Sequence, residues 1–270
     1  MDCTRNAVHF VVAGKAPLPC TKNGGKNMSD NQKIAELKKM IADTTKICVF
    51  TGAGISCPSG IPDFRSADGI YNEKTDGYYT PEQIISHTVF MKEPELFFDF
   101  YKSKMLYPDA KPNDAHIYFA NLEKQGKQVS VITQNIDGLH QAAGSTDVVE
   151  LHGSVHRNHC MKCGEFYDME YVKNSSGVPR CKCGGIVKPD VVLYEEPLDD
   201  TAPYKAIEKI SSCETLIIIG TSLIVYPAAS YVRYFHGKNL VLINKSSTPF
   251  DSNTDLAIYD DVVNVVHGLE

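Results

Sequence analysis

Four short, almost entirely apolar runs constrain the fold of this chain more than any other feature. They are residues 47–50, 129–133, 216–219 and 240–243. Runs of this length suit strands, and a strand without alternating polar residues is buried on both faces, as in a parallel sheet covered by helices. Residues 94–106 and 115–124 are long enough to form crossover helices. The sequence therefore predicts an α/β fold.

A polar or glycine-rich segment directly follows each of the four runs. These segments are residues 52–56 (Gly-Ala-Gly-Ile-Ser), 134–137 (Gln-Asn-Ile-Asp), 220–222 (Gly-Thr-Ser) and 244–245 (Asn-Lys). In an open α/β sheet, ligands bind outside the carboxyl ends of the strands. The four segments therefore predict one ligand site at a single sheet edge.

The glycine-rich turn after the first run suits nucleotide binding. Gly52 and Gly54 would let the backbone pass close to a phosphate, and a following helix would offer free N–H groups to an anion. Cys57 stands where the dinucleotide fingerprint has its third glycine, which weakens an oxidoreductase interpretation. The alternative is that the two glycines only allow the chain to turn between the strand and the helix, without binding a phosphate.

Three further strings have both a functional and a structural interpretation. Arg65 suits a phosphate and Phe64 could cover a reactive ring, but an ion pair and a core position explain them equally well. Asn135 and Asp137 match the donors and acceptors of a carboxamide, although Asp137 could simply cap a helix. The ordinary pKa of histidine, near neutrality, would suit His152 as a general base, but a lone histidine is more often structural.

Four of the nine cysteines fall together between residues 160 and 183. Two residues separate Cys160 from Cys163, one separates Cys181 from Cys183, and 17 lie between the pairs. Four thiolates satisfy tetrahedral Zn²⁺ without an open position, so the pattern predicts a structural zinc site. The clustering favours a reducing compartment over a disulfide scaffold. Four unrelated buried thiols remain the alternative, because the one-residue spacing is short.

Charge and hydropathy argue against two classes of partner. With 33 acidic and 27 basic side chains the net charge is -6, and nucleic-acid binding needs a concentrated basic surface. No apolar run approaches the roughly 20 residues that span a bilayer, so no membrane partner is expected. Residues 1–28 are interpreted as a flexible leader. Without a convincing export signal, we expect a cytoplasmic protein.

Taken together, these strings resemble the sirtuins, a family of NAD-dependent protein-lysine deacylases. The motifs occur in the family's order between about residues 34 and 266: "GAGIS", "GIPDFRS", "TQNIDGLH", "ELHG", the paired cysteines, "GTSL" and "IN". The resemblance implies a Rossmann-like parallel sheet and a smaller domain made of a helical insert and a zinc ribbon. The large domain would comprise residues 29–63, 109–155 and 190–270, the insert residues 64–108 and the ribbon residues 156–189.

The resemblance also implies the roles of individual residues. The NAD-binding residues would be Gly52, Ala53, Gly54, Ser56, Asp63, Phe64, Arg65, Gln134, Asn135, Ile136, Asp137, Gly220, Thr221, Ser222, Asn244 and Lys245. The catalytic base would be His152, and Zn²⁺ would bind Cys160, Cys163, Cys181 and Cys183. An acylated-lysine protein substrate would add a strand to a segment containing Val192, Leu193 and Tyr194, near Val225.

The implied reaction removes an acetyl or other acyl group from a protein lysine. The acyl oxygen attacks C1′ of the ribose as nicotinamide leaves, and His152 then activates a ribose hydroxyl. After nicotinamide has left, hydrolysis by water yields free lysine and O-acyl-ADP-ribose, and Phe64 suits the shielding of the cationic carbon from water before that step. Two alternatives are a mono-ADP-ribosyltransferase and a non-catalytic NAD- or ADP-ribose-binding module.

Two positions depart from the family pattern. Glu195 replaces a glycine in the substrate segment, where it could narrow the substrate edge or favour basic peptides. Tyr101 and Lys104 stand where relatives that remove acidic acyl groups have Tyr-x-x-Arg. Because lysine lacks the planar fork of arginine, we expect acetyl removal, with Lys104 a solvated helix residue.

Overall fold

A six-stranded parallel sheet forms the centre of the computed structural model, which describes residues 28–64, 69–70, 78–198 and 201–270. The strands are β1 (Lys46–Thr51), β2 (Gln128–Thr133), β3 (Val148–Glu150), β7 (Thr215–Ile219), β8 (Asn239–Asn244) and β9 (Leu256–Tyr259). Their order is β3-β2-β1-β7-β8-β9. The strand order therefore switches direction at β1, and ligands of such sheets bind at the carboxyl ends beside the switch point.

Both faces of the sheet are covered, which explains the apolar strand sequences. Val49 packs in a cluster with the helices of one face, and Phe50 packs in a second cluster with those of the other. The first face carries α1 (Asp30–Ala42), α5 (Asp114–Lys124) and α10 (Val262–Leu269). The second carries α8 (Thr201–Ser212) and α9 (Ala228–Tyr231). Because successive side chains of a strand point to opposite faces, double burial requires an apolar residue at nearly every position. The predicted α/β fold is confirmed.

A smaller part of the molecule combines short helices with a second sheet. Its elements are α2 (Pro81–Ile84), α3 (His87–Lys92), α4 (Pro94–Lys104), β4 (Gly153–Cys160), β5 (Phe166–Tyr167), α7 (Met169–Asn174) and β6 (Val187–Val191). The second sheet is antiparallel, in the order β5-β4-β6. Phe97 and Tyr101 of α4 share a third apolar cluster with Val155 and Val187. This cluster joins the helices to the cysteine-bearing sheet.

The remaining helix, α6 (Leu139–Ala143), lies between β2 and β3. It begins two residues after Asp137, and it packs on α5. Across the described ranges, no helix combines the length and apolar character that crossing a membrane requires.

Candidate active site

Backbone hydrogen bonds hold the strand-end loops together. The Gly54 N–H donates to the Gly220 carbonyl (2.9 Å), and the Gly220 N–H donates to the Ile243 carbonyl (3.0 Å). A Cβ atom on Gly54 would lie 2.6 Å from the Gly220 Cα, and Gly220 itself has a φ of +60°. The glycines are therefore required by the contact between the two loops. Their predicted approach to a phosphate stays a prediction.

A polar cluster connects the ends of β1 and β2. The Asn135 Nδ2 donates to the Gly52 carbonyl (3.2 Å) and to Ser56 Oγ (3.0 Å). Ser56 in turn donates to Asp137 Oδ2 (2.7 Å), and the Leu139 N–H donates to Asp137 Oδ1 (2.9 Å). Burial raises the pKa of Asp137, although these two donors oppose the shift. The cluster holds the 134–137 loop in one conformation.

A second chain of contacts runs from β2 to β8. Gln134 donates from Nε2 to Thr221 Oγ1 (3.1 Å), and Asn244 donates from Nδ2 to the Thr221 carbonyl (3.3 Å). Next to Asn244, Lys245 forms an ion pair with Asp261 (2.9 Å), which raises the lysine pKa. All four predicted strand-end segments therefore lie at one sheet edge, as the sequence predicts.

His152 joins this edge from the turn between β3 and β4. Its Nδ1 lies 2.9 Å from the Gln134 carbonyl oxygen. A carbonyl can only accept, so Nδ1 carries the proton and Nε2 holds the basic lone pair. Burial lowers the pKa of His152, and the hydrogen bond to Gln134 opposes that shift. The imidazole is therefore neutral at neutral pH and able to accept a proton at Nε2.

The next residue, Gly153, fixes the distance between His152 and the predicted substrate segment. Gly153 has a φ of +77°, and a Cβ there would lie 1.8 Å from the Asp190 carbonyl oxygen. The Val192 N–H donates to the His152 carbonyl (3.0 Å). A side chain at position 153 would force this segment away from the histidine.

The remaining residues predicted for the NAD and peptide sites differ in how deeply they are buried. Ala53, Asp63, Phe64, Ile136, Ser222, Val192 and Val225 are half-buried, Leu193 is buried, and Tyr194 is exposed. Arg65 lies outside the described residues, as does nearly all of the predicted leader. Leu193 packs in the third apolar cluster, so its side chain points into the protein rather than towards a peptide.

Asn113 was not predicted from the sequence, and it contacts the glycine-rich loop although it lies more than 50 residues further along the chain. Asn113 caps α5 by accepting the Ala115 N–H (3.0 Å). Its Nδ2 also donates to the Ile55 carbonyl (2.8 Å) and to Ser59 Oγ (2.9 Å). Asparagine before a helical pattern indicates a cap, but no sequence feature indicates the contact with the loop.

Two buried histidines lie beneath the site. His116 of α5 and His140 of α6 have ring centroids 4.8 Å apart, and His140 Nε2 lies 3.1 Å from Thr51 Oγ1. Within the described residues, His116 Nε2 and His140 Nδ1 have no hydrogen-bond partner. Burial lowers the pKa of His116 to about 4, and burial together with the charge of His116 lowers that of His140. Both rings are therefore neutral in the folded protein.

We expect this pair to make the fold sensitive to mild acid. Above pH about 6.5 both histidines are neutral in the folded and in the unfolded chain. As the pH falls, the unfolded chain takes up protons that the folded protein does not, until His116 itself becomes protonated near pH 4. At pH 5, His116 alone should cost about 2 kcal/mol of unfolding free energy. Urea unfolding at pH 7.5 and pH 5 should show less acid loss for His116→Leu than for the wild type. The surface variant His236→Leu should keep the full loss; an equal loss in all three proteins would contradict the assignment.

The four clustered cysteines form a candidate metal centre. All four sulfurs lie within 4.8 Å of one another, and Cys160–Cys183 and Cys163–Cys181 are separated by 3.4 and 3.5 Å. Zinc–sulfur bonds of about 2.3 Å would place tetrahedral sulfurs roughly 3.8 Å apart, whereas a disulfide needs about 2.05 Å. The Lys162 N–H donates to Cys160 Sγ and the Cys183 N–H donates to Cys181 Sγ (3.4 Å each), as backbone amides do to metal-bound thiolates. The donor set fits Zn²⁺ despite the one-residue spacing.

The comparisons with known proteins agree with this geometry. A family model described as the Sir2 family matches residues 52–227. An NAD-dependent protein deacetylase of Clostridium perfringens (strain 13 / Type A) is 59% identical over 238 residues, which cover 87% of this chain and 98% of the relative. The chain belongs to the Sir2 family, and the resemblance inferred from its motifs is confirmed.

Two solved Sir2 structures are also similar. One, with a deacetylated p53 peptide and 3'-O-acetyl-ADP-ribose, has a TM-score of 0.79 and 39% identity, covering 87% of this chain and 96% of that one. Another, with a p53 peptide and NAD+, has a TM-score of 0.76 and 38% identity, covering 87% and 95%. The Rossmann-like sheet with its smaller cysteine-bearing part is therefore the Sir2 fold.

Proposed function

We propose that this chain removes acetyl groups from protein lysines in an NAD-dependent reaction, with His152 as the general base. One observation carries this assignment of the base: the Nδ1 hydrogen bond to Gln134 leaves Nε2 as the basic nitrogen. Membership of the Sir2 family and relatives named NAD-dependent protein deacetylases support the reaction.

The residues at the sheet edge fit an NAD site. When bound, NAD would supply the nicotinamide leaving group and the ribose carbon that takes up the acyl oxygen. Thr221, Ser222 and Asn244 would hold phosphate and adenosine ribose. Asn135 and Asp137 would orient the carboxamide: Asn135 Nδ2 is engaged by Gly52 and Ser56, which leaves Oδ1 to accept an amide N–H. His152 Nε2 would accept the proton of a ribose hydroxyl.

Residues 192–194, here called the acceptor segment, would bind the peptide as an added strand. Most of their backbone groups are already hydrogen-bonded within the protein. Among the residues that the structure describes, the Val192 carbonyl and the backbone of Glu195 have no partner. The Val192 carbonyl begins the segment and Glu195 directly follows it, and these groups would pair with the peptide.

The position of Tyr101 supports an acetyl rather than an acidic acyl substrate. Tyr101 is 1% exposed, stacks on Phe97 and has no hydrogen-bond partner for its hydroxyl within the described chain. Burial raises its pKa far above the usual value. A hydroxyl packed in this way is not presented to an acyl carboxylate.

We also propose that residues 64–108 and 156–189 form one small domain, which the third apolar cluster supports.

Purified protein with NAD and a panel of acyl-lysine peptides tests the function. We expect nicotinamide release only when NAD and an acetylated peptide are both present, with free lysine detected by peptide mass. Labelled NAD separates the alternatives, because only ADP-ribosyl transfer leaves the label on protein. Binding of NAD without any nicotinamide release would instead indicate a binding module and refute the proposal.

A further inference from the structure

Glu195 adopts a backbone conformation that is unusual for its residue type. Its φ is +74°, in the left-handed region that favours glycine. Its carboxylate turns towards α3, where Oε2 accepts the Thr88 N–H (2.9 Å) and the Thr88 hydroxyl (2.6 Å). These two bonds lower the pKa of Glu195. The side chain compensates for its backbone conformation by fastening the end of the acceptor segment to a helix.

The neighbouring Glu196 has three partners of its own. Its carboxylate contacts His87 Nδ1 (2.9 Å) and Lys188 Nζ (3.1 Å). The same carboxylate accepts the Leu193 N–H (2.9 Å). Lys188 also donates to the Val191 carbonyl (3.1 Å), directly before the acceptor segment. Glu196 therefore connects β6, the acceptor segment and α3.

Main-chain bonds complete the attachment. The Tyr194 N–H donates to the Ile85 carbonyl (3.2 Å), and the His87 N–H donates to the Tyr194 carbonyl (2.9 Å). These bonds hold a residue of the acceptor segment between α2 and α3. The two carboxylates contact His87 and Thr88 next to these bonds, so they add to the attachment.

We propose that Glu195 and Glu196 are positioning residues that fasten the acceptor segment to α3 and so preset it to receive an acyl-lysine peptide. The inference rests on the proposed function. The backbone groups left for the peptide, at Val192 and Glu195, keep their spacing only while the segment stays attached. Glu196 is paired with Lys188, whereas Glu195 accepts only the neutral N–H and hydroxyl of Thr88 and therefore keeps its negative charge.

Kinetics with acetylated peptide and NAD varied separately test this role. In Glu196→Gln, we expect the KM for peptide to rise about tenfold, in keeping with the loss of partly buried charged hydrogen bonds. In Glu195→Gln we expect a rise of about threefold, because its bonds are exposed. The KM for NAD should stay within about twofold of the wild type, since positioning acts on the peptide alone. Glu208→Gln, an exposed substitution on α8, is the matched control.

Hydrogen exchange gives a readout that does not depend on activity. The Leu193, Tyr194 and His87 amides should exchange faster in both Glu variants, while those of β7 stay protected. Unchanged peptide KM and exchange would overturn the proposal, and so would an equal rise in both KM values. If the wild type deacetylates no peptide, the proposed function fails; unchanged exchange in the variants would then show separately that the attachment is wrong.

Discussion

Replacing His152 by alanine is expected to lower the formation of free lysine from an acetylated peptide by about 10²- to 10⁴-fold, the usual contribution of a general base. The variant removes the imidazole whose Nδ1 is held by the Gln134 carbonyl and whose Nε2 is left basic. Peptide mass at saturating NAD and peptide measures the effect. His236→Ala, which removes an exposed histidine, should retain wild-type turnover.

The pH dependence of the wild type offers an independent check on His152. Burial lowers the pKa of this imidazole, so its neutral form persists to a lower pH than that of an exposed histidine. The acidic limb of kcat/KM should therefore lie below pH about 6.5, the ordinary histidine value. Full turnover in His152→Ala would refute the mechanism, and an acidic limb above that pH would refute the proposed protonation state.

The central strands and the sheet edge were predictable because each depends on residues close in sequence. An apolar run followed at once by a polar segment specifies both a doubly buried strand and the side chains at its carboxyl end. The start of α1 is likewise a local feature, where Gln32 Oε1 accepts the Ser29 N–H (2.9 Å). The short edge strands β3 and β9 escaped prediction, because three or four partly buried residues produce no distinct pattern.

The contacts that stabilise the site were not predictable, because they join residues far apart in the chain. Asn113 contacts the loop at Ile55, and His140 contacts Thr51. Glu195 was recognised from sequence as a departure from the family pattern, and two interpretations were possible. Its bonds to Thr88 form because α3 lies beside it in the fold, and the sequence does not show that proximity. The identity of a side chain does not reveal which distant group it meets.

Loss of zinc is expected to unfold the cysteine-bearing sheet and to abolish activity without altering the NAD-binding edge directly. The four sulfurs bring together the loop after β4 and the loop before β6. These two strands belong to a sheet of only three strands. Cys160 and Cys181 also belong to the third apolar cluster, so the packing on α4 depends on the same loops. A sheet this small needs a metal or a similar cross-link to remain ordered.

Metal content, melting temperature and activity, measured on the same protein samples, test this expectation. The wild type should contain one Zn²⁺ per chain, and Cys163→Ser should lose it together with about 10 °C of melting temperature, equivalent to several kcal/mol. Cys57→Ser, which alters a cysteine outside the cluster, should keep its metal. Because β6 leads directly into the acceptor segment, the peptide site should fail before the strand-end loops do. A wild-type protein that is folded and active without metal would show that the four thiols are not ligands.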